Sequence, residues 1–278
     1  MLTTTVDGLL VLQVLSGIEV LAPELGLRPH LPSVETKQAA LDHPMAAELR
    51  EQGVIDDDGV VDGPVLEWLT VIARRDVALL IHVVTPDHDG LPRRVLLARY
   101  AQWWVAIERT EHLIRVSPAG TATAEGAASR VVTDQIDRLC GTQAPAPLRP
   151  VTLAADPLLS TVRDRDTLRR HLMNQSLDAD QIRLLMLAGD PGQSAQASIV
   201  AVQSGVETGS ATRAVCGTLS TAIVDTPEGR VVYETVQRDG KKWFIVSPGS
   251  AKCISSAVAQ ILRAIPASDD WYSYRKVV

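Results

Sequence analysis

The stretch Gln102–Leu139, QWWVAIERTEHLIRVSPAGTATAEGAASRVVTDQIDRL, decides the fold. Trp103, Val105 and Ile107 alternate onto one face, and Trp104 breaks the polar face opposite. Leu113, Arg115 and Ser117 then alternate against Ile114 and Val116. Two period-2 runs joined by the polar residues Arg109–Glu111 predict a β-hairpin. Proline has no N–H to give to a ladder, so Pro118 is expected to end the second strand. Beyond it, Val132, Ile136 and Leu139 fall at i, i+4 and i+7 on one helical face, and Gly141 is placed to stop that helix.

The same order recurs about 130 residues downstream. Arg230–Gln237 (RVVYETVQ) alternates, Asp239-Gly240 is a turn signal, and Trp243–Ser247 (WFIVS) forms a second run before Pro248. Ile254, Val258, Ile261, Leu262 and Ile265 then line a helical face up to Pro266. Val116-Ser117-Pro118 and Val246-Ser247-Pro248 stand at equivalent points. A shared tripeptide is a weak signal; hairpin, proline, small residues and amphipathic helix in one order make a strong one. Two similar α+β halves are therefore expected. Three prolines in Ala144–Pro150 mark the boundary: an N-terminal half at 1–143, a linker at 144–150 and a C-terminal half at 151–278.

Composition narrows the function. Hydrophobic residues make up 46% of the chain and aromatics 4%, so the core is built mainly from Leu, Val, Ile and Ala. A net charge of -6 argues against a nucleic-acid or anionic-membrane partner. The three cysteines, Cys140, Cys216 and Cys253, form no CxxC, which suits a reducing compartment and offers no zinc site. No basic segment precedes the first apolar run, and no apolar run reaches the roughly 20 residues of a membrane span. A soluble, cytoplasmic protein is expected.

Between the hairpins, Thr3–Val6 predicts a strand and Asp7 a cap for a helix through Leu15. Asp42 with Pro44 opens a second helix ending at Gly53, and Pro64 a third, with Arg74 and Arg75 at its C-terminal end. Val77–Val84 is a near-continuous apolar run, hence a central strand. Thr85–Arg93 is a loop stiffened by Pro86 and Pro92, long for a link between adjacent strands. In the second half Asp156 and Asp166 each start a short helix, and Asp178 with Gln181 forms a capping box before a helix with Ile182, Leu185 and Met186 inward. Ala195–Gln203, Arg213–Cys216 and Leu219–Thr226 read as strands, and the tail from Trp271 carries apolar anchors able to dock back.

No constellation announces catalysis. A nucleophile elbow is absent, and Gly189–Ser194 (GDPGQS) lacks the lysine of a phosphate loop and follows a helix. His82 with Asp87-His88-Asp89 is the single grouping that could hold a metal, and loop neighbours rarely converge without a scaffold. A small-molecule or metal-dependent enzyme stays as the alternative on those four residues alone. Self-association through exposed strands beside Val77–Val84 is a further class.

The landmarks in order resemble the EspG family, cytosolic chaperones of mycobacterial type VII (ESX) secretion. The carrying residues are Val6-Asp7-Gly8, Ala22-Pro23-Glu24-Leu25 with Arg28-Pro29, His43-Pro44, Arg50-Glu51-Gln52-Gly53, Ser247-Pro248-Gly249, and Ile265-Pro266 followed by Trp271. They span essentially the whole chain, which looks most similar to the paralogue of the second ESX system. The chain departs from the family at its C-terminal signature, usually Leu-Pro-x-Gly-x-Trp. Here Ile265–Trp271 is one residue longer and lacks the glycine. The resemblance implies an α+β fold of two pseudo-two-fold halves around an antiparallel β-sheet with flanking helices and helical bundles. It also implies a role without enzymatic activity or cofactor: binding the PPE tip of PE–PPE heterodimers. The implied contact comprises Asp87, His88 and Asp89 in the loop after the second strand. It adds Leu184 and Leu187, expected off the inward face of their helix, and Glu207, Thr208 and Arg213 in the facing loop Ser204–Arg213.

Overall fold

The structure, a computed structural model, describes residues 1–27, 35–86, 91–205 and 214–276. The first half runs β1 (Leu2–Thr5), α1 (Val6–Ser16), α2 (Lys37–Leu41), α3 (Pro44–Glu51), α4 (Gly63–Arg74), β2 (Val77–Val84), β3 (Arg93–Tyr100), β4 (Trp103–Thr110), β5 (Leu113–Thr121) and α5 (Glu125–Cys140). The second runs β6 (Val151–Ala154), α6 (Ala155–Thr161), α7 (Arg165–Met173), α8 (Ala179–Ala188), β7 (Ala195–Ser204), β8 (Ala214–Thr226), β9 (Gly229–Arg238), β10 (Lys241–Pro248) and α9 (Ala251–Arg263). Each half is a strand, a helical group, a four-strand meander and a closing helix.

The strands form one antiparallel sheet in the order β1-β5-β4-β3-β2-β7-β8-β9-β10-β6. The order is symmetric about the central pair, where Val77 faces Gln203 and Val84 faces Gln196. A two-fold axis normal to a sheet reverses strand direction, so an antiparallel central pair is what it produces. The α+β, pseudo-two-fold expectation holds, and the halves share a single sheet.

Side chains alternate along each strand, so the two faces are covered separately. On one face α5 and α9 seat Val132, Ile136, Val258 and Ile261 over Leu79, Ile81, Val95, Leu97, Ile199 and Ile223. On the other, α1–α4 bring Leu9, Leu12, Leu49, Leu69 and Ile72 onto Leu96, Ile107 and Ile114. The group α6–α8 independently covers Val224, Val231 and Val246 with Leu172, Leu184 and Leu185.

Several expectations are corrected. Pro118 does not end β5; it pairs with Val105 at a register shift, and the strand runs on to Thr121. Because β1 covers only Leu113–Val116, β5 is an edge at Pro118, where a missing N–H leaves no partner unsatisfied. The first hairpin turns on Glu111-His112, with Glu111 at φ 51, since Thr110 already pairs with Leu113. Strand β4 has no polar face: Trp104 is 1% exposed, and Trp103 is the outlier at 50%. Helix α7 is capped by Asp164 in a capping box with Thr167, ahead of Asp166. The two short strands expected at 213–226 are one strand, β8, whose pairing with β7 slips between Val200 and Val202.

Each half is also closed by the segment leaving the other half's last helix. The stretch after α5, expected as a linker, is an ordered strap along β9. Arg230 N–H donates to Ala144 O (2.7 Å), and Ala146 N–H donates to Arg230 O (2.8 Å). Gly229, at φ 121, allows the close approach: a Cβ there would lie 2.8 Å from the Ala146 backbone. The chain after α9 crosses the first half, as expected for a docking tail. Trp271 packs edge-on against Trp104 with ring centroids 6.4 Å apart. Arg99 donates to Tyr274 O, and Lys276 N–H donates to Asp76 Oδ1 (3.0 Å).

Candidate partner-binding surface

The face carrying α1–α4 and α6–α8 is not fully covered. Along β2 the residues of this face pass from buried Ala78 to half-buried Leu80, His82 and Val84. Along β7 they pass from buried Val202 to half-buried Val200 and Ser198 and exposed Gln196. Leu80 pairs with Val200, His82 with Ser198 and Val84 with Gln196, so the open positions form one strip between the helical groups. The strip ends where β2 leaves the sheet at Thr85 and Pro86 and the chain returns through Leu91, which is 43% exposed.

Helices α7 and α8 flank the same end. Both begin with capping boxes, Asp164 with Thr167 and Asp178 with Gln181, that satisfy orphan N-terminal amides. The Thr167 and Gln181 backbone amides, as the largest influence, hold these two carboxyls below the ordinary aspartate value. Between the helices runs a groove of about 470 Å³, lined among others by Met173, Ile182, Met186 and Leu187, with Arg165, Arg169 and Arg183 around it. Met173 is 64% exposed, and on the adjacent α6 Leu159 is 61% exposed. Arg183 is held by Asp180 at 3.2 Å and by Glu228, and Arg165 pairs with Asp190 at 2.8 Å. An apolar floor with a charged rim is the layout of a protein-recognition surface.

The expected contact residues divide. Asp87, His88 and Asp89 lie outside the described residues; their stems stand at the open end of the strip. Leu187 is half-buried and lines the groove. Leu184 is not available: it is 2% exposed, within one cluster that also holds Ala146 and Leu148 of the strap. The strap covers a second flank of α8, which helical periodicity alone does not reveal; Gln181 Nε2 even donates to Arg149 O (3.2 Å). Glu207, Thr208 and Arg213 also lie outside the described residues. Their stems are at the opposite end of the central pair, where Ser204 N–H donates to Asp76 O (3.0 Å) and Gln203 pairs with Val77. The two loops therefore leave the sheet from opposite ends and do not face one another at their stems. Sequence reasoning missed the strip and Met173. The one signal for the strip was His82, an imidazole inside an otherwise apolar strand.

Among the described residues no group of three or more His, Cys, Asp or Glu converges as a metal site. Burial pushes the Cys140 thiol up to about 11, away from nucleophilic use. Among the described residues no helix is long and apolar enough to cross a membrane.

A family model described as the EspG family matches residues 5–260. The chain belongs to the EspG family. Over 278 residues, 100% of both chains, it is 49% identical to the ESX-2 secretion-associated protein EspG2 of Mycobacterium tuberculosis H37Rv. It is 26% identical over 303 aligned residues to the ESX-5 secretion-associated protein EspG5 of Mycobacterium marinum, covering 99% of this chain and 97% of that one. A solved structure, that of the Mycobacterium tuberculosis type VII secretion system chaperone EspG5 in complex with a PE25–PPE41 dimer, matches with a TM-score of 0.75. The match covers 98% of this chain and 99% of that one at 21% identity, and it shows the shared fold. The expected family, and the likeness to its member from the second ESX system, both hold. These EspG relatives are named for secretion and chaperoning rather than for a reaction.

Proposed function

We propose that this chain is a cytosolic chaperone of ESX type VII secretion. It binds the PPE tip of cognate PE–PPE heterodimers, keeps them soluble and directs them to the secretion machinery. One observation carries the proposal: a strip of Leu80, His82, Val84 and Val200 is left partly open beside the exposed Met173 and the groove at Leu187. An apolar surface rimmed by charge on a folded protein fits an apolar helical tip that would otherwise aggregate. Membership of a family that includes a chaperone solved with a PE–PPE dimer supports the same partner class. No cofactor and no catalytic residue enter the role. Three free cysteines agree with a reducing cytosol.

Asp87, His88 and Asp89 belong at the rim of this contact, where charges set orientation and association rate more than affinity. Co-expression with each PE–PPE pair of its own ESX system is the direct test. A soluble ternary complex with at least one pair is expected, and failure with every pair would overturn the proposal. Replacing Asp87–Asp89 by Gly-Ser-Gly should weaken the complex in calorimetry while leaving Tm unchanged. Unchanged affinity would remove the loop from the contact.

A further inference from the structure

Across the sheet, the open strip runs into a row of basic side chains. His82 on β2 pairs with Arg94 on β3, and Arg94 pairs with Arg109 on β4. Alternation puts Arg94 on the side of Leu96 and Ala98, and Arg109 on the side of Val105 and Ile107. All four belong to the core under α1–α4. The two arginines therefore share the side of the sheet that carries Leu80, His82 and Val84.

Like charges directly opposite on neighbouring strands are destabilising. The local structure nevertheless holds this pair together. Gly26 follows the short turn Pro23–Leu25, at φ 75. A Cβ built there would lie 3.0 Å from Arg94 Nη1 and 3.2 Å from Arg109 Nη1, so both guanidinium groups reach one point above the glycine. Half-buried Arg109 is positioned by carbonyls: Nη1 donates to Leu25 O (2.9 Å) and Nε to Glu111 O (2.8 Å). Arg94 is exposed. Among the described residues neither arginine forms an ion pair.

The charges around the rest of the surface are matched. Glu24, in the same short turn, is taken by Arg75. At the α7/α8 groove Arg165 pairs with Asp190 and Arg183 with Asp180 and Glu228, while Arg169 and Asp166 border it together. Glu111 gives Arg109 its carbonyl, and its exposed carboxylate forms no ion pair among the described residues. The whole chain carries a net charge of -6. Two converging cations without an acid are thus a surplus against the charge of the molecule, placed at the rim of an apolar strip. The group that relieves it is an anion, and paired guanidinium groups match the two oxygens of a carboxylate.

We propose, on the PE–PPE reading above, that Arg94 and Arg109 receive an acidic side chain that the cargo carries beside its apolar tip, and so select which cargo the strip accepts. The apolar strip is common ground for any apolar tip. The arginine pair separates them: an uncharged residue at that place leaves the two guanidinium groups facing each other, and a basic one adds a third cation. Burial of the pair under the cargo strengthens its attraction for a carboxylate, because water no longer screens it.

The test uses the full-length chain and a PE–PPE pair that co-purifies with it. Arg94→Gln should weaken that complex about tenfold, mainly by slowing association, and should flatten the dependence of affinity on salt. Arg94→Glu should weaken it further, and Arg94→Lys should keep most of the affinity. The Tm of the free chain should not fall in Arg94→Gln, since one of two opposed charges is removed; a purely structural arginine would lower Tm and leave affinity alone. On the other side of the contact, each Asp or Glu of the cargo tip is changed to Lys in turn. One such variant should fail with the wild-type chain and bind again to Arg94→Glu. Unchanged affinity in both Arg94→Gln and Arg94→Glu would overturn the proposal, as would a set of cargo variants among which Arg94→Glu rescues none. So would loss of the Arg94→Gln effect in the chain with Gly-Ser-Gly at 87–89, because the arginines would then serve Asp87 and Asp89 of the same chain. A Tm raised by inorganic phosphate in the wild type but not in Arg94→Gln, with cargo affinity equal in the two, would assign the pair to a free anion instead. Failure of the wild-type chain with every PE–PPE pair defeats the cargo reading itself; the other outcomes are read on a complex that forms and defeat the arginine pair alone.

Discussion

Trp104 and Arg230 hold the same place in the two halves. Each precedes the residue that pairs with its hairpin's proline, Val105 with Pro118 and Val231 with Pro248. Each receives the strap arriving from the other half, with opposite chemistry. Trp104 packs on Trp271, and neither indole N–H donates to an acceptor among the described residues. Arg230 donates to Cys140 O (2.8 Å) and Gly141 O (3.0 Å) and pairs with Asp225 at 2.6 Å. The difference follows from what arrives. The strap onto β9 starts at the very end of α5, so orphan helix carbonyls and the negative end of the helix dipole are presented, and a guanidinium satisfies both. The strap onto β4 first makes a turn after α9 and presents an indole. Pseudo-symmetry has kept the place of the contact and left its chemistry free.

Breaking the apolar clasp should have the largest effect. Trp271 is 1% exposed, and Trp271→Ala should destabilise by about 3–5 kcal/mol, the usual range for emptying a buried aromatic site. Chemical denaturation measures it; a loss below about 1 kcal/mol would mean that the strap is not needed to close the first half. Breaking the ionic clasp should cost less. Arg230→Met leaves Asp225 and two carbonyls without their donor, but the Asp225 side chain is 24% exposed and can rehydrate. A loss of about 2–3 kcal/mol is expected, below the full range for a sealed pair. If Arg230→Met proved the more damaging of the two, the ordering of the clasps would be reversed.

The helical groups on the opposite face differ as well. On α6–α8 the large apolar side chains Leu159 and Met173 are 61% and 64% exposed, whereas on α1–α4 the most exposed one is Leu66 at 38%. Met173→Ser should therefore leave stability unchanged yet weaken PE–PPE binding about tenfold, roughly 1.4 kcal/mol. Leu66→Ser on α4, at a residue 38% exposed, should leave binding alone. Equal effects of the two substitutions in calorimetry would remove α7 from the contact.

The repeated hairpin-proline-helix order was legible in sequence because alternation, turn residues and helical spacing are local signals. The central pairing of Val77–Val84 with Gln196–Gln203 was not, since joining two halves through one sheet is a long-range event with no local mark. Trp104 was misread because a strand covered on both sides has no polar face to break. Leu184 was misread because one helix period cannot report a strap covering a second flank. Helix α2 was missed because five residues are too few to show a period. In the candidate site, helical spacing was enough to set Leu187 off the inward face of its helix, where it borders the groove. Met173 and the Leu80–Val84 strip were not legible, since exposure there is set by where two helical groups stop short of meeting.

The smallest expected change sharpens the first-half clasp. Ser268, two residues after Pro266, stands where the resembled C-terminal signature would place glycine, and it has φ 49, in the left-handed region. Its N–H donates to Ile265 O (2.8 Å), and one short turn, Ser268–Asp270, absorbs the extra residue and delivers Trp271 to Trp104. A left-handed non-glycine residue costs about 1–2 kcal/mol, and glycine returns part of that gain by loosening the unfolded chain by about 0.5–1 kcal/mol. Ser268→Gly should therefore stabilise by about 0.5–1 kcal/mol. Ser268→Ala tests the cause: it removes the exposed hydroxyl but keeps the Cβ that makes the backbone strained. If Ala raised the unfolding midpoint as much as Gly, the gain would belong to the side chain and not to the backbone.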